Sequence, residues 1–238
     1  MKKTFYLLTI LTAVIVLFPQ CQQTSQEKKA KYVFYFIGDG MGVNQVNGTE
    51  MYLAEKEGYI GIKPLNFTQF PVTNFATTYS KYNSVTCSAA SGTALASGTK
   101  TKNNTIGMDS LRAAPLYSIA VKAKEAGQKV GITTTASIDH ATPAAFYAHQ
   151  PDRNMYYEIA TDLPKTGFDL YAGSGFLRPV NKKDSTAAPI FQILQDSGYL
   201  VVRGTKEFNE KAGSAQKVVF LQEEQASPKC LPYAIDRQ

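Results

Sequence analysis

Short continuous apolar runs alternate along the chain with amphipathic stretches, and glycine or proline separates many of them. From Tyr32 to Ile37 the run is apolar and aromatic throughout and ends at Gly38, the pattern of a strand buried on both faces in a parallel sheet. The segment Asn44 to Glu57 then predicts a helix stopped near Gly58. Val72 to Tyr79 predicts a second strand, Ser88 to Ala96 a helix of small residues, and Pro115 to Ala126 a helix stopped by Gly127. Val130 to Thr135 predicts the next strand, and Pro143 to His149 and Asn154 to Asp162 predict short helices. Phe168 to Ala172 predicts a strand, Ala187 to Asp196 a helix, and Tyr199 to Val202 and Val218 to Leu221 two more strands. Strands interleaved with helices imply an α/β fold with a central, mostly parallel sheet and helices on its faces. In such sheets ligands collect beyond the carboxyl ends of the strands, which directs attention to the residues that follow each strand.

The first residues stand apart from this pattern. Met1-Lys2-Lys3 precedes an apolar stretch from Phe5 to Phe18, the basic-then-apolar layout of a secretory leader, which we place at residues 1–20. The stretch is shorter than the roughly 20 residues a membrane-spanning helix needs, so cleavage is expected over anchoring. Cys21 and the polar residues after it resemble the lipid-accepting start of bacterial lipoproteins, although Phe18-Pro19-Gln20 departs from the small residues expected there. Residues 21–31 read as a polar linker, and 32–238 as the folded part. An exported protein, periplasmic or at the outer membrane or cell surface, is the expectation. Cys87 and Cys230 could pair or stay free, and the spacing does not decide between these. The formal charge of +6 is spread over scattered lysines with no basic stripe, which argues against nucleic-acid binding.

Three segments carry candidate chemistry. Asp39, between Gly38 and Gly40 at the end of a predicted strand, can reach a cation with little obstruction, and an oxygen ligand suits magnesium and zinc alike. The same residues also suit an ordinary turn; a dinucleotide-binding loop is disfavoured because its third glycine would fall on Val43. In Val85-Thr86-Cys87-Ser88-Ala89-Ala90-Ser91-Gly92-Thr93-Ala94, tiny side chains let a helix begin close to a bound anion, although Ser88 alone would pass for a helix cap. From His140 to Arg153 the chain offers an imidazole, the hydroxyl of Thr142 and a guanidinium that can hold two phosphate oxygens, residues that singly would cap helices or form surface pairs.

Taken in order, these segments resemble the alkaline phosphatase family over about Val33 to Arg153. Gly38 to Gly42 is similar to that family's metal-binding aspartate loop, Val85 to Ala94 to its nucleophile segment, and Thr142 to Arg153 to its threonine, alanine, histidine and arginine stretch. The resemblance implies a three-layer sandwich, incomplete at its C-terminal side, and phosphate monoester hydrolysis through a phosphoserine. It assigns Ser88 as nucleophile, Arg153 as clamp on the phosphoryl oxygens, and Asp39 and Thr142 as metal ligands. His140 stands where the family has aspartate or histidine and is expected at the metal site through water. His149 matches a family histidine that is not a ligand. Two zinc ions, one magnesium and a homodimer when full length are likewise implied.

Cys87 departs from the family pattern, in which an aspartate commonly precedes the nucleophile and braces the arginine. The pair Cys87-Ser88 also resembles sulfatases, but Ala89 and Ser91 replace the proline and arginine of their modification pattern. The family's remaining zinc ligands follow the region matched here, so an N-terminal part of a longer protein is expected, with a non-catalytic phosphate-binding protein or a related phosphodiesterase as alternatives. A fragment of this kind is also expected to be poorly soluble, with apolar faces left uncovered.

Overall fold

The computed structural model describes residues 30–223 and 226–233, so the leader, Cys21 and nearly all of the linker lie outside the described residues. The chain divides into two units, one ending at Gly38 and one beginning at Asp39. In the first unit, Tyr32 to Ile37 is not a ladder strand. Its residues are largely exposed, with Val33 at 82% and Phe36 at 88%, and Phe34 stacks on Phe36. A continuous apolar run reports a need for cover on both faces, but the described residues supply it no strand neighbour.

The second unit holds a four-stranded sheet. Its strands are β1 (Gly131–Thr133), β2 (Leu170–Gly173), β3 (Leu200–Arg203) and β4 (Val218–Leu221). All neighbours are parallel and the order is β1-β2-β4-β3. Val218 pairs with both Leu170 and Leu200, so β4 lies inside the sheet. Its sequence Val-Val-Phe-Leu, apolar on both faces, is what that interior position requires.

Seven α-helices of the described residues surround or precede these strands: α1 (Val43–Lys56), α2 (Ser88–Ser97), α3 (Ile119–Glu125), α4 (Ala141–Ala144), α5 (Tyr156–Asp162), α6 (Ile190–Asp196) and α7 (Gly204–Lys211). Helix α3 starts later than its pattern predicts, because Leu116 is drawn into a backbone bond with Gly107 at 2.7 Å and Met108 bridges Pro115. Ser118 then caps it, accepting from Val121 at 3.2 Å and donating to the Phe146 carbonyl at 2.7 Å. Helix α4 ends early, since Gln150 leaves to pair with Ile106.

The predicted strand at Val72 to Tyr79 does not form. Asn74 turns its own side chain to the Phe75 N–H at 2.8 Å, and the Lys100 ammonium takes the carbonyls of Thr77 and Tyr79. One local side chain and one distant lysine have replaced a ladder, and Val72 and Phe75 stay exposed.

Aromatic rings fill the core beside the sheet. Tyr147 meets Tyr171 edge-on at 5.3 Å, and Tyr171 neighbours both Phe168 and Tyr199. Each buried phenol needs a partner, and each finds a carbonyl: Tyr147 that of Ile138, Tyr171 that of Leu163, and Tyr199 that of Phe168. The Tyr147 bond ties the core to the backbone two residues before His140 and so carries the packing into the site.

Candidate active site

Asp39 opens the loop that leads to α1. Gly40 has φ +67°, a left-handed turn that suits glycine, and the Gly42 N–H is held by the Gln45 side chain at 3.0 Å as the helix starts. The Asp39 carboxylate receives two hydroxyls. Ser88 Oγ donates to Oδ1 at 3.2 Å and Thr142 Oγ1 donates to Oδ2 at 2.8 Å.

Ser88 is the first residue of α2 and not its cap; Cys87 occupies the cap position in extended conformation, without a side-chain capping bond. The run of small residues has a structural cause. Ala89, Ala90, Gly92, Thr93 and Ala96 are buried, and a Cβ on Gly92 would lie 3.1 Å from that of Ala145 and 3.5 Å from the Thr142 backbone. The absent side chain lets α2 lie against α4, which brings Ser88 and Thr142 to one carboxylate. Gly107 serves the same packing from the other side, because at φ +57° its Cβ would fall 2.0 Å from the Ala148 carbonyl oxygen.

Arg153 reaches the same region. Its Nη2 lies 3.4 Å from His140 Nε2, and its backbone N–H donates to the Asn104 carbonyl at 2.8 Å. A guanidinium only donates, so Nε2 is the acceptor and the neutral ring keeps its proton on Nδ1. Burial, then the Arg153 charge, hold His140 below the usual imidazole range, while Asp39 pulls the other way. The structure thus joins Asp39, Ser88 and Thr142 by hydrogen bonds and places His140 on Arg153.

The Cys87 thiol accepts the Asn104 N–H at 3.0 Å. Burial pushes this thiol up, but the N–H groups of Asn104, Ala90 and Ala89 and the Arg153 charge together hold it below the ordinary thiol value. Cys87 and Cys230 are both free. His149 turns away from the carboxylate, its Nδ1 meeting the Gly107 carbonyl at 2.7 Å.

Sequence reasoning missed two features. Asp139 is fully buried and its carboxylate accepts from Leu177 at 2.8 Å and Arg178 at 3.3 Å, fixing a turn beside the His140 segment. Burial pushes it up to about 6 against those hydrogen bonds. Asn103 and Asn104 hold the nucleophile segment from a loop, and nothing in a pair of asparagines distinguishes such a role from a turn.

Among the described residues no group of three or more His, Cys, Asp and Glu side chains could hold a metal ion. Asp39 and Thr142 offer one carboxylate and one hydroxyl to a common point, the oxygen donors that magnesium takes alongside water. A tetrahedral zinc site needs about four ligands drawn from imidazole, thiolate and carboxylate, and the described residues do not assemble one.

The family model described as alkaline phosphatase matches residues 30–175. Alkaline phosphatase 4 of Drosophila melanogaster is 38% identical over 151 residues, covering 60% of this chain and 25% of that protein. The human tissue-nonspecific isozyme is 35% identical over 183 residues, covering 65% of this chain and 35% of its own. Among solved structures, the alkaline phosphatase of the Antarctic bacterium TAB5 superposes with a TM-score of 0.70 at 30% identity, over 84% of this chain and 54% of that one. A mutant of the TAB5 enzyme, solved with magnesium bound in its M3 site, superposes with a TM-score of 0.68 at 28% identity, over 84% of this chain and 54% of that one. The cold-active enzyme of Shewanella sp. gives 0.69 at 30% identity, over 85% and 47%. The chain therefore spans about half the length of these solved structures and a quarter to a third of these curated relatives. With the family model matching over half of its residues and the α/β fold shared, the chain belongs to the alkaline phosphatase family.

Proposed function

We propose that this chain carries the phosphoryl-accepting part of a phosphate monoester hydrolase, with Ser88 as nucleophile. The observation that supports it most is the convergence of Ser88 and Thr142 on the Asp39 carboxylate at the first turn of a ten-residue helix. The Ser88 hydroxyl proton points at Asp39 Oδ1, which leaves an oxygen lone pair free for an incoming phosphorus. Attack forms the Oγ–P bond as the hydroxyl proton passes to Asp39 Oδ1, and breaks the ester P–O bond; that proton, relayed through water, goes to the departing alkoxide. Water then cleaves the phosphoserine, returning the serine and releasing phosphate. The α2 amides and the Arg153 guanidinium offset the charge of the phosphoryl oxygens.

Asp39 and Thr142 would hold magnesium, which supplies a fixed positive charge beside the transferred group. No step is assigned to zinc, for which the described residues do not form a site. His140, expected at the metal site through water, orients Arg153 in this reading and is available to bound water through Nδ1–H. The leader and Cys21 support export with a lipid anchor; mass spectrometry of the mature N-terminus tests that separately.

The test is hydrolysis of a chromogenic phosphate monoester with magnesium and zinc added, beside Ser88→Ala, followed by acid trapping and peptide mapping of the phosphorylated residue. Phosphate on Ser88 and loss of turnover in the variant are expected. Phosphate binding without turnover would favour the non-catalytic reading, and label on another residue would overturn the assignment of Ser88.

A further inference from the structure

The segment that delivers Ser88 is extended before it becomes helical, with Cys87 at φ −113° and ψ 164°. An extended segment presents the carbonyl of one residue and the N–H of the residue two further on to the same side, where a neighbouring strand would pair with both. No strand lies there among the described residues. Instead the side-chain amide of Asn103 fills the place: Nδ2 donates to the Val85 carbonyl at 3.1 Å, and Oδ1 accepts the Cys87 N–H at 3.3 Å. One amide acts as a single peptide unit of a missing strand.

The next residue extends the arrangement. Asn104 gives its N–H to Cys87 Sγ at 3.0 Å and takes the Arg153 N–H on its carbonyl at 2.8 Å, which its left-handed φ of +70° permits. The Asn103 carbonyl is itself held by Arg112 Nη2 at 3.4 Å, and Arg112 Nε donates to Thr105 at 3.0 Å. Two consecutive residues therefore fix both the entry to α2 and the backbone of Arg153.

We propose that Asn103 is a positioning residue for phosphoryl transfer, setting the direction of Ser88 and, through Asn104, its separation from Arg153. This rests on the reading of Ser88 as the phosphoryl acceptor. A small rotation of the last extended residue turns the first residue of the helix, and catalytic geometry tolerates little misplacement. Asn103 touches neither substrate nor reacting atoms; it acts through Val85 and Cys87.

The experiment compares the full chain, with magnesium and zinc, to its Asn103→Leu and Asn103→Asp variants. Leucine keeps the volume and removes both hydrogen bonds; aspartate keeps the acceptor for Cys87 N–H and loses the donor to Val85. Three quantities are read: kcat and KM for the monoester, affinity for inorganic phosphate, and peptide-resolved alkylation of Cys87 against Cys230. Asn103→Leu is expected to lower kcat about tenfold, weaken phosphate severalfold and speed alkylation of Cys87 but not of Cys230, with Asn103→Asp recovering part of each effect. Asp169→Asn, at the start of β2, serves as a control that loses stability with kcat and KM unchanged.

A wild-type chain that neither hydrolyses the ester nor binds phosphate overturns the functional reading and this inference with it. A wild-type chain that does either, with Asn103→Leu unchanged in phosphate affinity and in Cys87 labelling, overturns this inference alone. An equal fall in kcat for Asp169→Asn also overturns it, since stability and not position would then be the cause.

Discussion

Thr142 donates its hydroxyl to Asp39 Oδ2 at 2.8 Å although 103 positions separate the two residues in sequence. The contact joins the loop before α1 to the first turn of α4. Thr142→Val removes the donor while keeping the branched shape at a half-buried position, so the fold is expected to survive. In the proposed site the same change deletes a magnesium ligand. We expect magnesium affinity to fall about tenfold, equivalent to about 1.4 kcal/mol, with the far-ultraviolet circular dichroism spectrum unchanged. Unaltered magnesium binding, measured by calorimetry, would remove Thr142 from the proposed ligand set.

Gly107→Ala is predicted to be far more harmful than its single added methyl suggests. The Cβ would meet the Ala148 carbonyl oxygen at 2.0 Å in a left-handed backbone, so the strand-like pairing of Ile106 with Gln150 has to open. A loss of about 3 kcal/mol or more is expected from urea denaturation. Gly98→Ala, also at positive φ but with open space around it, isolates the backbone component, expected at about 1 kcal/mol.

Asp169 and Asp139 are predicted to tilt stability with pH in opposite senses. At Asp169, burial raises the carboxyl, but Lys124, Lys129 and the Val130 N–H outweigh it and bring it down to about 2. The unfolded chain then binds a proton more readily than the native one. The contribution is present above pH 4 and is lost as pH falls toward 2, amounting to about 1–2 kcal/mol once screening at the exposed Lys129 is allowed for. Chemical denaturation of Asp169→Asn from about pH 7 down to about pH 2 is expected to converge on wild type at the acid end. Convergence at neutral pH instead would refute the assignment.

Asp139 runs the other way. Its native carboxyl, pushed up to about 6 by burial, holds a proton that the unfolded chain releases near pH 4. Stability conferred at this position therefore declines as pH rises from about 4 through about 6. Relative to Asp139→Asn, the wild-type protein should lose about 1–2 kcal/mol across that range. A difference between the two proteins that does not change with pH would show that Asp139 is ionised throughout.

The parts of this molecule legible in the sequence are those whose cause is local. Val218 to Leu221 reads as a strand from its apolar run alone, and it forms with those bounds. Gly92 and its small neighbours read as room for a helix to begin close to an anion, whereas the structure gives them a packing cause in the 3.1 Å approach to Ala145, which the sequence did not show. Tyr32 to Ile37 carries the same apolar signal as β4 yet has no ladder partner among the described residues, because composition encodes the need for burial and not the element that meets it. Val72 to Tyr79 failed for a different reason: Lys100, 21 and 23 residues away from the carbonyls it takes, cannot be foreseen as their partner. Asn103 and Asp139 were illegible because their significance is entirely in what the fold brings beside them.

The position of β4 bears on how the chain comes to be assembled. Val218 to Leu221 is the last strand of the sheet in sequence but sits between β2 and β3 in space. With strands about 4.8 Å apart, β2 and β3 are separated by a slot about 10 Å wide until that segment enters it. A nascent chain shorter than about 220 residues thus has two parallel edges facing each other with nothing to bond them, a state suited to wrong strands of neighbouring chains. Until Val218 to Leu221 has been made, β2 and β3 cannot be joined through this sheet, so holding the chain back until then would act on yield more than on the final stability.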